Sequence, residues 1–415
     1  MRIRYFIVPI LLLVPSAKAD FPKFEAQEID ARAGEVVYAA TTADVNGDAK
    51  PDVVAATEDA VLWYENPSWT KHIITKGKTE RDNVCIQAHD IDGDGKIDFA
   101  LGAGWHPGST TQPSTLQWLG RDARGEWQVH PITYTEPTLH RFRFGDVLGN
   151  GKTQLVVAPL QGRGTKGPNW GEGSGVKVQV FSIPSDPTAP DWPSEVADDS
   201  LHTTHSLQIV GRDLKATDRD RDRNAPDVIL IAGWEGVFTL SRAPDGTWKR
   251  AQVGTGNQES KPFKGASEVK LGRRAKGVPY VATIEPWHGT QVVAYVPEFS
   301  EGRILPTMKM ARHVLAEPVA WGHAVWCADL DGDGDDEIII GQRDANKDGS
   351  NAPKGPGIFA ESPKLAFTRH TIDDGGMACE DALCADLDGD GKPEIIAGGR
   401  STHNVKIYWN KGKAE

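Results

Sequence analysis

Several familiar chemical signatures are missing from this 415-residue chain. There is no GxSxG elbow, no phosphate-binding GxxxxGK[ST] loop, no HExxH and no CxxC. These absences remove nucleophile-elbow hydrolases, phosphate-loop nucleotidases and zincin-type metalloproteases from consideration. Gly162-Arg163-Gly164 is only a glycine-rich loop. Positive charge is also short: 46 Lys and Arg stand against 58 Asp and Glu, a formal net charge of −12. So acidic a chain is a poor nucleic-acid binder. Long apolar runs are confined to the first residues. Arg2 and Arg4 precede an apolar core, Phe6 to Pro15, and Ala17-Lys18-Ala19 offers a small-x-small cleavage site. Residues 1–19 therefore read as a signal peptide, with an apolar run too short to span a bilayer. The expected mature chain, 20–415, is secreted or periplasmic and carries no membrane span. Its formal charge becomes −15 once Arg2, Arg4 and Lys18 are removed. Cysteine is scarce at four residues.

What the chain does have is a repeated acidic turn. Asp386, Asp388, Asp390 and Glu394 occupy positions 1, 3, 5 and 9 of a stretch with glycines at 4 and 6, followed by an apolar strand. Oxygen ligands around so tight a turn suit a hard cation such as Ca²⁺. No helix flanks it and no twelfth-position Glu follows, so the helical calcium hand is excluded. The unit recurs as Asp329, Asp331, Asp333 and Glu337; as Asp90, Asp92, Asp94 and Asp98; and as Asp44, Asn46, Asp48 and Asp52. Two copies are degraded, Asp146 to Gln154 and Asp218 to Asp227, and a seventh, Leu271 to Tyr280, has lost the ligands. Sites repeated in this way are structural in purpose. They are expected to rigidify hairpins rather than to catalyse.

Seven strand-rich repeats predict an all-β, seven-bladed β-propeller of four-stranded antiparallel blades. The last repeat stops after its third strand, at Asn410. Phe24 to Asp30 supplies the missing fourth strand and closes the ring, leaving no long exposed edge. Cys327 and Cys384 hold equivalent places in neighbouring repeats, too far apart for a disulfide, and are expected to be buried free thiols.

The repeat also sorts the histidines. His72, His130, His313 and His370 share one position of the outermost strand and read as structural rim residues, as does His89 beside a cation turn. Other side chains converge on the channel mouth opposite the turns, where first strands start and second strands end. The starts carry His140, His205, His323 and Glu380. The ends carry His106, Arg163, Glu235, His288, Arg343, Arg400 and His403, with Trp105, Trp234 and Trp287 beside them. Unlike the turns, these positions change residue type from blade to blade, as a single asymmetric site requires. Aromatic faces with charged groups suit a small carbohydrate.

The DxDGDG hairpins resemble FG-GAP/VCBS repeats. A sharper resemblance lies in His140-Arg141-Phe142-Arg143, Val157 to Gly164, His202-Thr203-Thr204-His205, Thr283 to Gly289, Trp321 to Trp326 and Thr402 to Val405. These segments are similar to the propeller domain of aldos-2-ulose dehydratases. The resemblance implies elimination of water or an alkoxide from a keto-sugar such as 1,5-anhydrofructose or an aldosulose, in a pocket with room for a divalent metal. The fungal relatives carry cupin domains after the propeller, which this sequence lacks.

The residues suit such a lyase in their own right. Removing a proton beside a carbonyl needs a base of near-neutral pKa, which His140 or His205 provides, with His323 as its partner or as a metal ligand. Arg163, Arg343 or a histidine-bound divalent ion would stabilise the enolate, and another His or Glu235 would protonate the leaving group. A polysaccharide lyase on this scaffold, or a non-catalytic carbohydrate- or protein-binding propeller, are the alternatives.

Overall fold

The computed structural model describes residues 21–211, 226–274, 277–298, 310–316, 319, 321–344, 357–362 and 368–413. Within them, 28 strands form seven four-stranded antiparallel sheets. The first blade shows the rule: β2 (Val37–Ala43), β3 (Asp52–Thr57), β4 (Ala60–Glu65) and β5 (Thr70–Lys76) lie side by side in chain order. The later first strands are β6 (Cys85–His89), β10 (Leu139–Gly145), β14 (Ser206–Val210), β18 (Val269–Arg274), β22 (Gly322–Ala328) and β26 (Cys379–Ala385). The seventh sheet runs β1 (Phe24–Asp30), β28 (Val405–Asn410), β27 (Glu394–Gly399), β26. Phe24 lies opposite Asn410 and Ala26 opposite Tyr408, so the N-terminal strand closes the ring as expected.

The acidic turns join first and second strands and are organised by their own side chains. Asp90 Oδ1 accepts from the Gly93 amide (2.8 Å) and its Oδ2 from the Gly95 amide (3.0 Å). Gly93 and Gly95 have φ of 78° and 83°, the left-handed region where glycine carries no steric cost. The ninth residue reaches back to the amide of the second. Val45 donates to Asp52 (2.9 Å), Ile91 to Asp98 (2.9 Å), Leu330 to Glu337 (2.9 Å) and Leu387 to Glu394 (2.8 Å). In the degraded third copy Gln154 accepts instead from the third residue, Leu148 (3.0 Å), and Asp146 still accepts from Asn150 and Gly151. The ninth position therefore staples the hairpin even where it carries no charge. Carboxylates of Asp90, Asp92 and Asp94 cluster within 4.8 Å of one another, as do those of Asp329, Asp331 and Asp333, and of Asp386, Asp388 and Glu394. The fourth copy, 218–227, lies largely outside the described residues.

Packing takes place between blades. Seven buried apolar clusters occur, one for each pair of neighbouring sheets. Each second strand is buried on both faces, which explains runs such as Val228-Ile229-Leu230-Ile231. Rim histidines cap these walls: His72 stacks on its cross-strand neighbour Trp63, and His130 on Trp118, each at 4.3 Å. All four cysteines are free. No helix among the described residues is long and apolar enough to cross a membrane.

Candidate active site

The residues nearest the axis occupy one position of the repeat. Tyr38, Val84, His140, His323 and Glu380 each stand six residues ahead of the first Asp of their own turn. His205 and Glu268 hold the corresponding places just before β14 and β18. The strand pairing skips Tyr38, His140, His323 and Glu380, which are bulged out of the ladder. A bulge bends the strand and re-aims the extra side chain, here toward the channel. Two residues earlier, Asp82, Thr138, Thr203 and Trp321 adopt φ of 67°, 48°, 48° and 51°. Such backbone is costly for non-glycine residues, and it sets the approach to Val84, His140, His205 and His323.

Each axial histidine is oriented by the next blade. His140 Nδ1–H donates to the His205 carbonyl (2.8 Å), and His323 Nδ1–H donates to the Glu380 carbonyl (2.6 Å). A carbonyl oxygen only accepts, so in a neutral ring Nε2 keeps its lone pair; that of His140 accepts a long bond from Arg141 Nη1 (3.4 Å). His205 Nδ1 is held by the Glu268 carboxylate (2.6 Å) in the same sense. His288, with φ of 49° in the loop after the second strand of the fifth blade, brings its Nε2 to 2.8 Å from that of His205. Burial, reinforced by neighbouring cationic and imidazole groups, holds all four imidazoles well below the ordinary histidine pKa. They are neutral at neutral pH, the state in which imidazole serves as base or ligand.

The donors of His205, His288 and His323 lie within 4.8 Å of one another. Three neutral imidazoles, two of them oriented by outer-sphere partners (the Glu268 carboxylate for His205 and the Glu380 carbonyl for His323), form a set suited to a divalent transition ion. These residues fit a pocket metal.

Around them is a cavity of about 210 Å³. Trp105 leans on His140 (5.2 Å) and Trp287 stacks on His288 (4.1 Å). Arg400 donates to Glu380 Oε1 (2.7 Å), Arg343 stands 4.0 Å from Glu380 Oε2, and that oxygen is buried without a hydrogen bond. Burial pushes the Glu380 carboxyl up, against the opposing pull of Arg400 and Arg343. Of the residues expected here, His140, His205, His288, His323, Trp105, Trp287, Arg343, Glu380 and Arg400 all line the cavity.

Other expected residues stand apart. Arg163 donates to the carbonyls of Thr111 and Thr135. Glu235 is held by His202, whose Nδ1 is 2.7 Å from it. His106 lies beside Glu80 (3.9 Å), His403 donates to the Glu35 carbonyl (2.6 Å), and Trp234 packs against Gly171 and Lys264. None of these five lines the cavity. Their loops follow no repeat, so chain position alone did not foretell where they turn. Trp170, a loop tryptophan expected near this mouth, lines it too, and Arg141 and Tyr38 do so without having been singled out as site residues. The six-residue offset from the turn would have found Tyr38, and Arg141 follows directly on His140.

Comparison with known proteins agrees with this geometry. A family model described as "Aldos-2-ulose dehydratase, beta-propeller domain" matches residues 114–298, and one for an FG-GAP-like repeat matches 44–101. The chain is a β-propeller that resembles, over these stretches, FG-GAP-like repeats and the propeller domain of aldos-2-ulose dehydratase. The aldos-2-ulose dehydratase of Phanerodontia chrysosporium is 28% identical over 245 residues, 56% of this chain and 26% of that protein. The match thus spans about a quarter of the relative's length. Two solved structures share the fold alone. The extracellular domain of a hybrid two-component system from B. thetaiotaomicron has a TM-score of 0.51 at 11% identity, over 93% of this chain and 40% of that one. A protein described as a 6-phosphogluconolactonase from Bacteroides uniformis has a TM-score of 0.50 at 12% identity, over 90% and 92%. The family match includes His140, His205, Glu268 and His288, whereas His323, Arg343, Glu380 and Arg400 lie beyond it.

Proposed function

We propose that this protein is a carbon–oxygen lyase that eliminates water or an alkoxide from a small keto-sugar such as 1,5-anhydrofructose or an aldosulose. The observation that carries this reading is His140: a buried neutral imidazole whose Nδ1 is fixed by a carbonyl, leaving on Nε2 a basic lone pair met only by a long contact from Arg141 (3.4 Å). The distant similarity to a dehydratase points to the same class. A 210 Å³ cavity ringed by all seven blades suits a single sugar unit better than a polymer.

Trp105 and Trp287 would stack on the sugar's C–H faces, and the Glu380–Arg400 pair would bind its hydroxyls. His140 would take the proton beside the carbonyl. Arg141 and Arg343, which line the same cavity, would stabilise the enolate charge in place of Arg163. The departing hydroxyl needs a proton, and Glu380, raised by burial, stands in the cavity to give it. A divalent ion held by His205, His288 and His323 would supply Lewis-acid polarisation of the carbonyl. The acidic turns, by the same chemistry of oxygen donors, are proposed to hold structural Ca²⁺. A secreted or periplasmic location is proposed from the N-terminal signal-like residues.

The test is ultraviolet absorbance of metal-replete protein with 1,5-anhydrofructose and with 2-keto- and 3-keto-glucosides. Elimination yields a conjugated enone that absorbs where the substrates do not. His140→Gln should slow its appearance by about 10²- to 10⁴-fold, the usual contribution of a general base, with the unfolding temperature unchanged. No enone from any of these, in protein that still binds sugars, would favour a binding propeller instead.

A further inference from the structure

On the turn side of the histidine ring the channel opens into a second cavity of about 160 Å³. Arg141 lines both chambers and separates them. The inner walls carry three cations, Arg141, Arg143 and Lys270, against two carboxylates, Glu268 and Asp381.

Both carboxylates are already engaged. Glu268 holds His205, and Asp381 accepts from the amides of Ala40 (3.0 Å) and Ala382 (3.1 Å). The cations are under-used. Lys270 is 5% exposed and makes no hydrogen bond or ion pair among the described residues; its ammonium rests 4.5 Å from the centre of the Trp326 ring. Arg141 donates from Nη1 to the carbonyls of His140 (2.9 Å) and Val84 (3.4 Å) and to His140 Nε2 (3.4 Å), and Arg143 from Nη1 to the carbonyl of Phe142 (2.8 Å). Their remaining N–H groups have no protein acceptor among the described residues. Cationic donors gathered around a cavity and left without protein acceptors attract negative charge from outside the chain, the more strongly where burial weakens screening by water.

We infer that the inner chamber is a binding site for one small monovalent anion, a halide or a formate-sized carboxylate, held by Lys270, Arg141 and Arg143. Burial pulls the Lys270 ammonium down to about 7, and a negative charge beside it would hold it protonated. The volume admits such an ion with a few waters. Partly exposed Thr41, Thr42, Gln87 and Trp326 line the chamber and give it a route to solvent without passage through the outer cavity. The site is independent of the lyase reading: it would stand if the outer cavity only bound sugar.

Bromide is the probe. Crystals of the intact protein grown in sodium bromide should show an anomalous peak in contact with Lys270 and at least one of the two guanidinium groups. In solution, bromide should raise the unfolding temperature in a saturable way, on top of the linear salt effect. Lys270→Met should lose the peak and at least tenfold in apparent affinity, while keeping the linear effect. Arg143→Gln is the second variant should Lys270→Met fail to fold. An ordered chamber without a peak in the wild-type crystals would overturn the inference. So would a peak or a saturable response that survives both substitutions.

Discussion

The axial histidines are kept neutral by burial, and that has a measurable consequence. An imidazole held well below its ordinary pKa stays unprotonated as pH falls through 6.5. The acid limb of kcat/KM for enone formation should therefore lie below pH 6.5. A limb at or above that value would assign the base to a solvated group instead. At the far end of the hairpins, Ala49 occupies the place of Gly95, Gly334 and Gly391, with φ of 67°. An L-residue there carries a steric cost of about 1–2 kcal/mol, partly offset by the greater chain entropy of glycine. Ala49→Gly should raise the denaturant midpoint, by up to about 1 kcal/mol in unfolding free energy.

At the scale of the element, the turn is a staple as well as a ligand set. Glu337 is fully buried, accepts from the Leu330 amide and meets Ser362 Oγ (3.2 Å). Glu337→Ala should cost about 1–3 kcal/mol, because it leaves the Leu330 amide without its acceptor. Glu337→Gln should cost much less, since an amide oxygen can still accept a turn N–H, as Gln154 does from Leu148 in the third blade. Burial and the nearby Asp331 and Asp333 push the Glu337 carboxyl up to about 8. In chelator-treated protein the folded state therefore holds a proton that the unfolded chain has already released. Stability should fall as pH rises from about 4.5 to 8, and Glu337→Gln should flatten that slope. Added Ca²⁺ should reverse it by stabilising the ionised form. Thermal melts across pH, with and without Ca²⁺, test all three statements.

The hairpins were also the most legible part of the chain. The DxDGDG turn marks the border between first and second strands, so counting turns yielded blades and even the closing strand at Phe24–Asp30. Strands without that marker were harder to see. β24 (Gly357–Ser362) follows a long Pro- and Gly-rich insertion, and β13 (Ser194–Asp198) and β17 (Trp248–Gly254) are outer strands with no apolar alternation of their own. In the site, residues on the strands fell where the repeat put them, as His140, His323 and Glu380 show. Loop residues divided: His288, Arg343 and Arg400 reach the cavity, whereas Arg163 and His403 are turned away by local hydrogen bonds that no periodicity records.

At the scale of the molecule, the stabilising surface lies in walls between blades, and the axis carries the polar groups. Every wall depends on its two sheets remaining in place, so the ring is only as sound as its closure. A chain beginning at Val36 would lack β1 and expose the edge of β28. It should associate through that edge or aggregate, and light scattering should report the change. Adding a peptide of residues 21–30 should restore a monomer; failure to do so would mean that β1 contributes little to the ring.

The strand β1 also imposes an order of events. It precedes the strands of every blade and pairs with β28, so it must wait as an open edge while β2 to β27 are made. Its sequence, Phe24-Glu25-Ala26-Gln27-Glu28-Ile29-Asp30, is suited to waiting: three acids in seven residues discourage pairing with the wrong strand. The same segment that completes the native structure is thus guarded against completing any other.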